Sequence, residues 1–353
     1  MRRFSTFCRL IPVLALSLNL SPAQAQKGEL KANIDTVTVR AKGDARRMGL
    51  TFHETIIGFD FLGDSILMAS RTTKGDGRLI LLSPSGTVVQ THQLHKAPQS
   101  LFSICTGGLY LLFDSGVSAV QFGEKGLEHG ELQPISLFAK LAPCTWAGMD
   151  RIYFKHIDPV RFRVSYAVKH TYDSSVTPFY TISDAPAARS SAEEYEEAMA
   201  LLQAGQFAKA AQVFRKRKLW DDIVFQYLDT RMLMADAGPV IVDKNHNKLH
   251  FFTTDGNLLK SVPFGFQPGL RATFQIIRDE ATGRFYFHGY ADKAVQTLQE
   301  IALDTGLLIG ESVQIRKPFA ESVRIQRGRI YYLWQPRNGE TRALYVQPGF
   351  VSE

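Results

Sequence analysis

Short apolar stretches of strand length alternate with tight polar turns along most of this chain. The recurring unit is an apolar strand, a polar turn, and a second strand rich in aromatic and branched residues. Apolar and polar positions that alternate with a period of two are typical of half-buried β-strands. The pattern therefore predicts an all-β protein built from a repeated hairpin, with copies at 58–70, 103–114, 145–156, 240–253, 276–289 and 324–335.

The spacing of these copies indicates how the hairpins are assembled. Their turns are marked by Asp64, Gly107, Asp150, Asn247, Gly283 and Gly328, which lie 43, 43, 97, 36 and 45 residues apart. A second hairpin around a glycine turn follows in several copies, at 78–94, 248–262 and 300–315. Four antiparallel strands in about 40 to 45 residues is the size of one propeller blade. The sequence therefore predicts a six-bladed β-propeller.

The one long interval predicts a helical insertion between blades three and four. Strand character is lost from about residue 190, and Ser191 with Glu194 forms a capping box at the start of a helix. Gly205 ends this first helix, a second follows it, and a third helical stretch is expected from Leu219 to Met234.

The two ends of the chain are expected to meet in the last blade. Its predicted strands lie near 320–326, 329–335 and 341–347, one strand short of a full blade. The alternating segment Ile34–Arg40 is predicted to supply the missing outer strand, because an open ring leaves a sheet edge unpaired. A free N-terminal tail is the alternative. The predicted domains are a signal peptide at 1–25, blades one to three with the closing strand at 26–189, the helical insertion at 190–235, and blades four to six at 236–353.

Two segments resemble known families. The segment 240–258, VIVDKNHNKLHFFTTDGNL, resembles an NHL-type blade through its Val-Asp, Asn-His, Lys-Leu and Asp-Gly pairs. The chain as a whole resembles the six-bladed TolB-like or NHL-like propellers that are common in bacterial envelope proteins. The segment 195–216 is similar to a single tetratricopeptide hairpin at Ala198, Leu202, Gly205, Phe207, Ala210 and Ala211. This resemblance implies either a helical cover packed on the rim or an element that docks a partner. Neither resemblance defines a ligand, because propellers host many unrelated activities.

The N-terminus has the pattern of a secretory signal. Arg2, Arg3 and Arg9 form a positive region, residues 10–20 form a short apolar core, and Ala23-Gln24-Ala25 fits a signal peptidase site. Cleavage after Ala25 predicts a periplasmic or secreted protein with no transmembrane segment in its mature chain. An uncleaved N-terminal anchor is the alternative.

Net charge and cysteine content bear on the possible partners and on possible disulfide bonds. The net charge is +7, and 38 basic and 34 acidic residues remain after residue 25, a net charge of +4. Such a mild and evenly spread charge does not favour nucleic acid as a partner. Cys105 and Cys144 remain in the mature chain. A disulfide and two buried, unpaired thiols are both open, and the thiols are the favoured interpretation.

No motif of nucleophilic or metal-dependent catalysis is recognisable, so catalytic residues are unassigned and neither a metal nor another cofactor is expected. His246 and His250 are expected to lie roughly 13 Å apart on a strand, too far for one ion. His92 and His95 are expected on opposite faces, and His53-Glu54 is a candidate for the central channel. Carboxylates recur near the predicted strand ends, at Asp60, Asp114, Asp158 and Asp243. They fit either calcium binding or a structural role in which they accept hydrogen bonds from turn N–H groups. The structural role is favoured.

These observations favour an exported binding or scaffold protein of the bacterial cell envelope. Its expected partner is another envelope protein or a peptide. The alternative is a propeller hydrolase or lyase that acts on a lactone, glycan or peptide through carboxylates and a metal at the channel mouth. A sensor of a small ligand is a third possibility, which the sequence does not separate from the first.

Overall fold

A computed structural model describes most of the chain. The described residues are 38–39, 45–48, 54–123, 126–136, 144–148, 150–158, 163–173, 175–183, 196–210, 212–213, 230–244, 246–266, 274–292, 295–336 and 340–350. The predicted signal peptide at 1–25 lies outside them, as do residues 34–37 of the predicted closing strand.

The described residues form six sheets that follow one another along the chain, and we call them blades one to six. Each contains four antiparallel strands, and blade five carries one additional strand. The first three blades come from β3 (Glu54–Leu62), β4 (Ser65–Thr72), β5 (Gly77–Leu82) and β6 (Val88–Leu94); β7 (Ser100–Ser103), β8 (Leu109–Phe113), β9 (Gly116–Gly123) and β10 (Gly126–His129); and β11 (Cys144–Ala147), β12 (Arg151–Asp158), β13 (Arg163–His170) and β14 (Val176–Ser183).

The last three blades repeat this order. They contain β15 (Arg231–Ala235), β16 (Gly238–Asp243), β17 (Lys248–Phe252) and β18 (Leu258–Pro263); β19 (Gln275–Arg278), β20 (Phe285–Asp292), β21 (Val295–Ala302) and β22 (Leu307–Gln314); and β23 (Glu321–Gln326), β24 (Arg329–Trp334) and β25 (Ala343–Pro348) with β2 (Arg46–Arg47). The predicted six-bladed β-propeller is confirmed.

Within a blade, the first strand lies nearest the centre and the fourth lies at the rim. A Cβ placed on Gly58 of β3 would lie 3.3 Å from Cβ of Leu101 in β7, so the first strands of neighbouring blades approach closely. The fourth strands are mostly exposed, as β18 shows. Turns between the first and second strands, and between the third and fourth, therefore share one end of the ring, which we call the turn end.

Buried apolar side chains fill the interfaces between most successive blades, including the interface between the last blade and the first. Burial of each such side chain contributes about 1.5 to 3 kcal/mol, and neither face of a blade is covered without its neighbours. Members of these clusters are Leu79 and Leu111 for blades one and two, Tyr166 and Ile241 for three and four, Val242 and Ile276 for four and five, Leu298 and Tyr332 for five and six, and Tyr331 and Met68 for six and one.

A disulfide joins blades two and three. Cys105 and Cys144 are bonded, with a Cα–Cα distance of 5.7 Å, and the Ala147 amide donates to the Cys105 carbonyl at 3.1 Å. The favoured interpretation of two unpaired thiols is therefore wrong. The first turn of blade two and the inner strand of blade three meet at the same height of the ring, which brings the two sulfurs together.

The ring is closed by the N-terminal part of the chain, but not by the segment that the sequence suggested. Arg46 and Arg47 of β2 pair antiparallel with Val346 and Tyr345 of β25 and so complete the last blade. The prediction that Ile34–Arg40 fills this place is wrong, because β1 (Thr38–Val39) pairs in parallel with β22 as a fifth strand of blade five.

Blade four begins earlier than predicted. The Asn247 turn joins its second and third strands, whereas the other five marker residues lie between first and second strands. Residues 231–235, predicted to end a helical stretch, form β15 and pair with β16. Strand pairing at the centre of the ring overrides the helix propensity of Met232, Leu233 and Met234.

Between β14 and β15, residues 196–203 and 207–210 are helical, as are residues 212–213. Gly205, at φ +70°, ends the first helix, as its tolerance of a left-handed backbone allows. Ala198 and Ala210 are fully buried, while Phe207 is 68% exposed. The similarity to a tetratricopeptide hairpin stays a prediction. No helix within the described ranges is long and apolar enough to cross a membrane.

Candidate functional site

The first turn of blade six has a backbone that few sequences tolerate. Gln326 pairs with Arg329, so Arg327 and Gly328 form a two-residue hairpin loop. Their φ angles are +51° and +72°, the positive values that a type I′ turn requires at both central positions. The turn places the Arg327 side chain at the turn end of the ring and starts β24 at Arg329.

A buried carboxylate from blade five holds this turn in place. Asp279 is fully buried and accepts hydrogen bonds from the amides of Arg327 at 3.0 Å and Gly328 at 2.8 Å. It also accepts one from the amide of Ala281 at 3.0 Å. Three backbone donors thus satisfy a charge that would otherwise be costly to bury.

A cleft of about 780 Å³ opens beside this turn, between blades six and one. It lies where the two ends of the ring meet, and we call it the closure cleft. Its lining comes from both blades and from the closing strand, and includes Arg46, Asp64, Arg327, Arg329, Tyr331 and Phe350.

The floor of the closure cleft is apolar and buried. Tyr331 is 3% exposed and packs edge-to-face on Phe61 of blade one, with ring centroids 5.1 Å apart. Burial raises the pKa of Tyr331, although the nearby charge of Arg329 and its hydrogen bond to the phenol act in the opposite direction. The phenol therefore stays neutral at physiological pH.

Three arginines form the walls. Arg46 donates to the Ser85 carbonyl at 2.7 Å, and Arg327 forms an ion pair with Asp64 at 2.6 Å. Within the described ranges, neither Arg46 nor Arg329 has a carboxylate at ion-pair distance. The walls therefore carry more positive than negative charge.

A second polar cluster lies at the opposite end of blade four, inside the NHL-like segment. Asp243 is fully buried, and its Oδ2 lies 2.7 Å from His246 Nδ1 and 3.4 Å from His250 Nε2. The expected separation of roughly 13 Å between the two histidines is wrong, because His246 lies in the turn and folds back. Burial by itself raises the pKa of Asp243, but hydrogen bonds from His250 and His246 outweigh it and hold the pKa at about 2.

Hydrogen bonds around Asp243 indicate a structural role. Its Oδ1 accepts the amide of His246 at 3.1 Å, as expected for a carboxylate that supports a turn. His250 Nδ1 shares a hydrogen bond of 2.8 Å with Ser261, and the Tyr180 hydroxyl donates to Asp243 at 3.4 Å. These contacts tie three strands of blade four to β14 of blade three.

The other candidate residues are dispersed around the ring. Glu54 is buried against Arg78 and Ser70, and His53 lies outside the described residues. No group of three or more His, Cys, Asp and Glu side chains that could hold a metal occurs in the described part of the chain. Each of the other carboxylate candidates contacts a nearby polar or charged side chain: Asp114 contacts Lys96 and Gln99, Asp158 contacts Arg163, and Asp60 contacts Arg324. The ring of His92 packs against the ring of His129.

Acidification is expected to destabilise the ring through His288. Burial, together with a smaller contribution from the charge of Arg231, lowers the pKa of His288 to about 4. Because this is below the unfolded value of about 6.5, the neutral side chain stabilises the fold fully above pH 6.5, and this stability is lost as the pH falls towards 4. Urea unfolding at pH 7 and pH 4.5 should show about 2 to 3 kcal/mol less pH-dependent loss for His288→Leu than for the wild type. Equal losses in the two proteins would contradict this assignment.

Comparison with known proteins identifies similar structures only. Neither a protein-family model nor a curated protein matches the chain. A catalytically inactive virginiamycin B lyase from Staphylococcus aureus with quinupristin is 9% identical over 82% of this chain and 81% of that one, with a TM-score of 0.35. A DUF4221 family member from Bacteroides vulgatus is 8% identical over 87% and 96%, with a TM-score of 0.43. The CNH domain of AfRom2 is 8% identical over 87% and 100%, with a TM-score of 0.38. The six-bladed architecture itself rests on the six sheets and their order.

Proposed function

We propose that this chain is an exported binding protein of the bacterial cell envelope that holds another envelope protein or a peptide in the closure cleft. The observation that carries the proposal is the cleft itself, whose volume of about 780 Å³ lies within the usual range for ligand sites. Its walls come from the two ends of the ring, and the turn that carries Arg327 is fixed by Asp279. A site held in this way is preorganised for a ligand.

Two further observations support export. The signal-like N-terminus implies translocation, and the disulfide between Cys105 and Cys144 is a bond that persists in oxidising compartments such as the periplasm. We also infer a TolB-like or NHL-like type of propeller, based on the segment 240–258. The helices at 196–203 and 207–210 would then serve as a cover on the rim or as a second docking element.

Site-specific photocrosslinking in living cells tests where the partner binds. Pro84 lies in an exposed turn of blade one and lines the closure cleft, so Pro84→p-benzoylphenylalanine places a photoreactive group there without removing an N–H donor. We expect discrete adducts on irradiation. The matched control is Pro318→p-benzoylphenylalanine, in an exposed loop at the opposite end of the ring.

The proposal would be supported by adducts that form from position 84 and not from position 318. It also requires that the crosslinked protein is periplasmic and starts at Gln26. The same adducts from both positions would remove the cleft as the binding site. A complete absence of adducts, with both variants folded and exported, would contradict a stable partner.

A further inference from the structure

The closure cleft combines cationic walls with an apolar floor. Three arginines and one aspartate contribute to its lining, and the aspartate is already paired with Arg327. Arg329 and Arg46 flank the floor with no carboxylate at ion-pair distance in the described part of the chain. An anionic group that entered the cleft would therefore meet two guanidinium groups that have no carboxylate partner among the described residues.

The position of Arg329 suits recognition of such a group. Arg329 and Tyr331 are two residues apart on β24, so both side chains lie on the face towards blade one. A guanidinium group has five N–H donors in a planar fork that matches the two oxygens of a carboxylate or phosphate. Arg46 makes one described hydrogen bond, to Ser85, which leaves further donors for a ligand.

The apolar part of the lining defines the rest of the ligand. Val346 pairs with Tyr331 across β24 and β25, and Pro348 and Phe350 follow it along the cleft. These groups offer aromatic and aliphatic surface next to the arginines, where the body of a ligand would be removed from water. A small inorganic anion would leave that surface exposed.

We infer that the closure cleft binds a carboxylate or phosphate group carried on an apolar body, with Arg329 and Arg46 as its anion-binding residues. The inference rests on the proposed binding function and adds the chemistry of the ligand. A peptide with a free C-terminal apolar residue and a phosphorylated aromatic compound share this chemistry. They differ in the anion, and the test below separates them.

The first test uses 8-anilinonaphthalene-1-sulfonate as a fluorescent anionic probe with the purified mature protein. We expect saturable binding that weakens at least tenfold in Arg329→Gln and is partly kept in Arg329→Lys, which retains the charge but not the planar fork. Arg284→Gln is the control, since Arg284 is a half-exposed arginine on blade five and contacts Glu300 at 3.4 Å. Its affinity for the probe should equal that of the wild type.

Displacement of the probe identifies the anion. N-acetylphenylalanine and phenyl phosphate should both displace it, whereas the uncharged N-acetylphenylalaninamide should not. Stronger displacement by the first indicates a peptide carboxylate, and stronger displacement by the second indicates a phosphate ester.

Three results would overturn the inference: no probe binding by the folded wild type, equal displacement by the amide, or wild-type affinity in Arg329→Gln. Crosslinks from position 84 that persist in an Arg329→Gln background would leave the proposed binding function standing while this inference fails.

Discussion

Replacement of Cys105 by serine is expected to lower the free energy of unfolding by about 4 kcal/mol. The disulfide closes a loop of 39 residues, and a loop of this length restricts the unfolded chain by roughly that amount. The effect is large because the bond also joins two blades of a structure in which each blade depends on its neighbours. Chemical denaturation of Cys105→Ser under oxidising conditions, compared with the wild type, measures the change.

The double variant Cys105→Ser/Cys144→Ser serves as the control for this measurement. If loss of the bond causes the effect, the double variant and the reduced wild type should unfold at nearly the same denaturant concentration as Cys105→Ser. A change below about 1 kcal/mol in all three would show that the bond does not constrain the unfolded chain.

The Asp279→Ala substitution is expected to destabilise the protein by about 3 to 5 kcal/mol. Alanine removes a buried acceptor from the amides of Ala281, Arg327 and Gly328, and each unsatisfied buried donor costs about 1 to 3 kcal/mol before water enters the space. Asp279→Asn keeps one carbonyl oxygen, so we expect a smaller loss. Urea unfolding at pH 7 measures both variants.

Asp304→Ala is the matched control, because Asp304 is exposed in a turn of the same blade. Its stability should stay within about 0.5 kcal/mol of the wild type. If the Asp279→Ala and Asp304→Ala variants were equally stable, the carboxylate of Asp279 would not be what holds the first turn of blade six.

The sheets were largely predictable because turn residues repeat with the blade. Gly283 and Gly328 have the positive φ angles that glycine favours, and both mark the first turn of a blade as predicted. The predicted first turn of blade four was one strand too late along the chain, and this error has a physical reason. Its first turn, at Asp236 and Ala237, contains neither glycine nor asparagine, whereas Asn247 in the next turn has a φ of +53° and gives the stronger signal.

The closure cleft was not predictable from the sequence. Arg46 lies almost 300 residues before Arg329, and nothing in either local pattern indicates that they share a cleft. Their proximity depends on which short N-terminal segment pairs with β25, and a two-residue strand has too few positions to show a period. Only the strand register of the closed ring brings them together.

The disulfide was less predictable from the sequence than the sheets and more predictable than the closure cleft. Cysteines pair only when their Cα atoms approach to within about 7 Å, which a sequence does not show by itself. The separation of 39 residues is nevertheless close to the blade repeat of 43, so the two cysteines fall at similar heights on adjacent blades. Comparison of the cysteine spacing with the repeat length would have favoured the bond.

The two-residue strand β2 also affects how the protein reaches its native state. Arg46 pairs with Val346, so this contact forms only after all residues from 46 to 346 have been synthesised. Until then, the side of blade one that later packs on Tyr331 and Leu333 has no neighbour and exposes Ile56 and Met68 to solvent. Contacts between such distant residues slow folding, and exposed apolar surface promotes aggregation. We therefore expect this protein to depend on chaperones during its biogenesis until the final blade is in place.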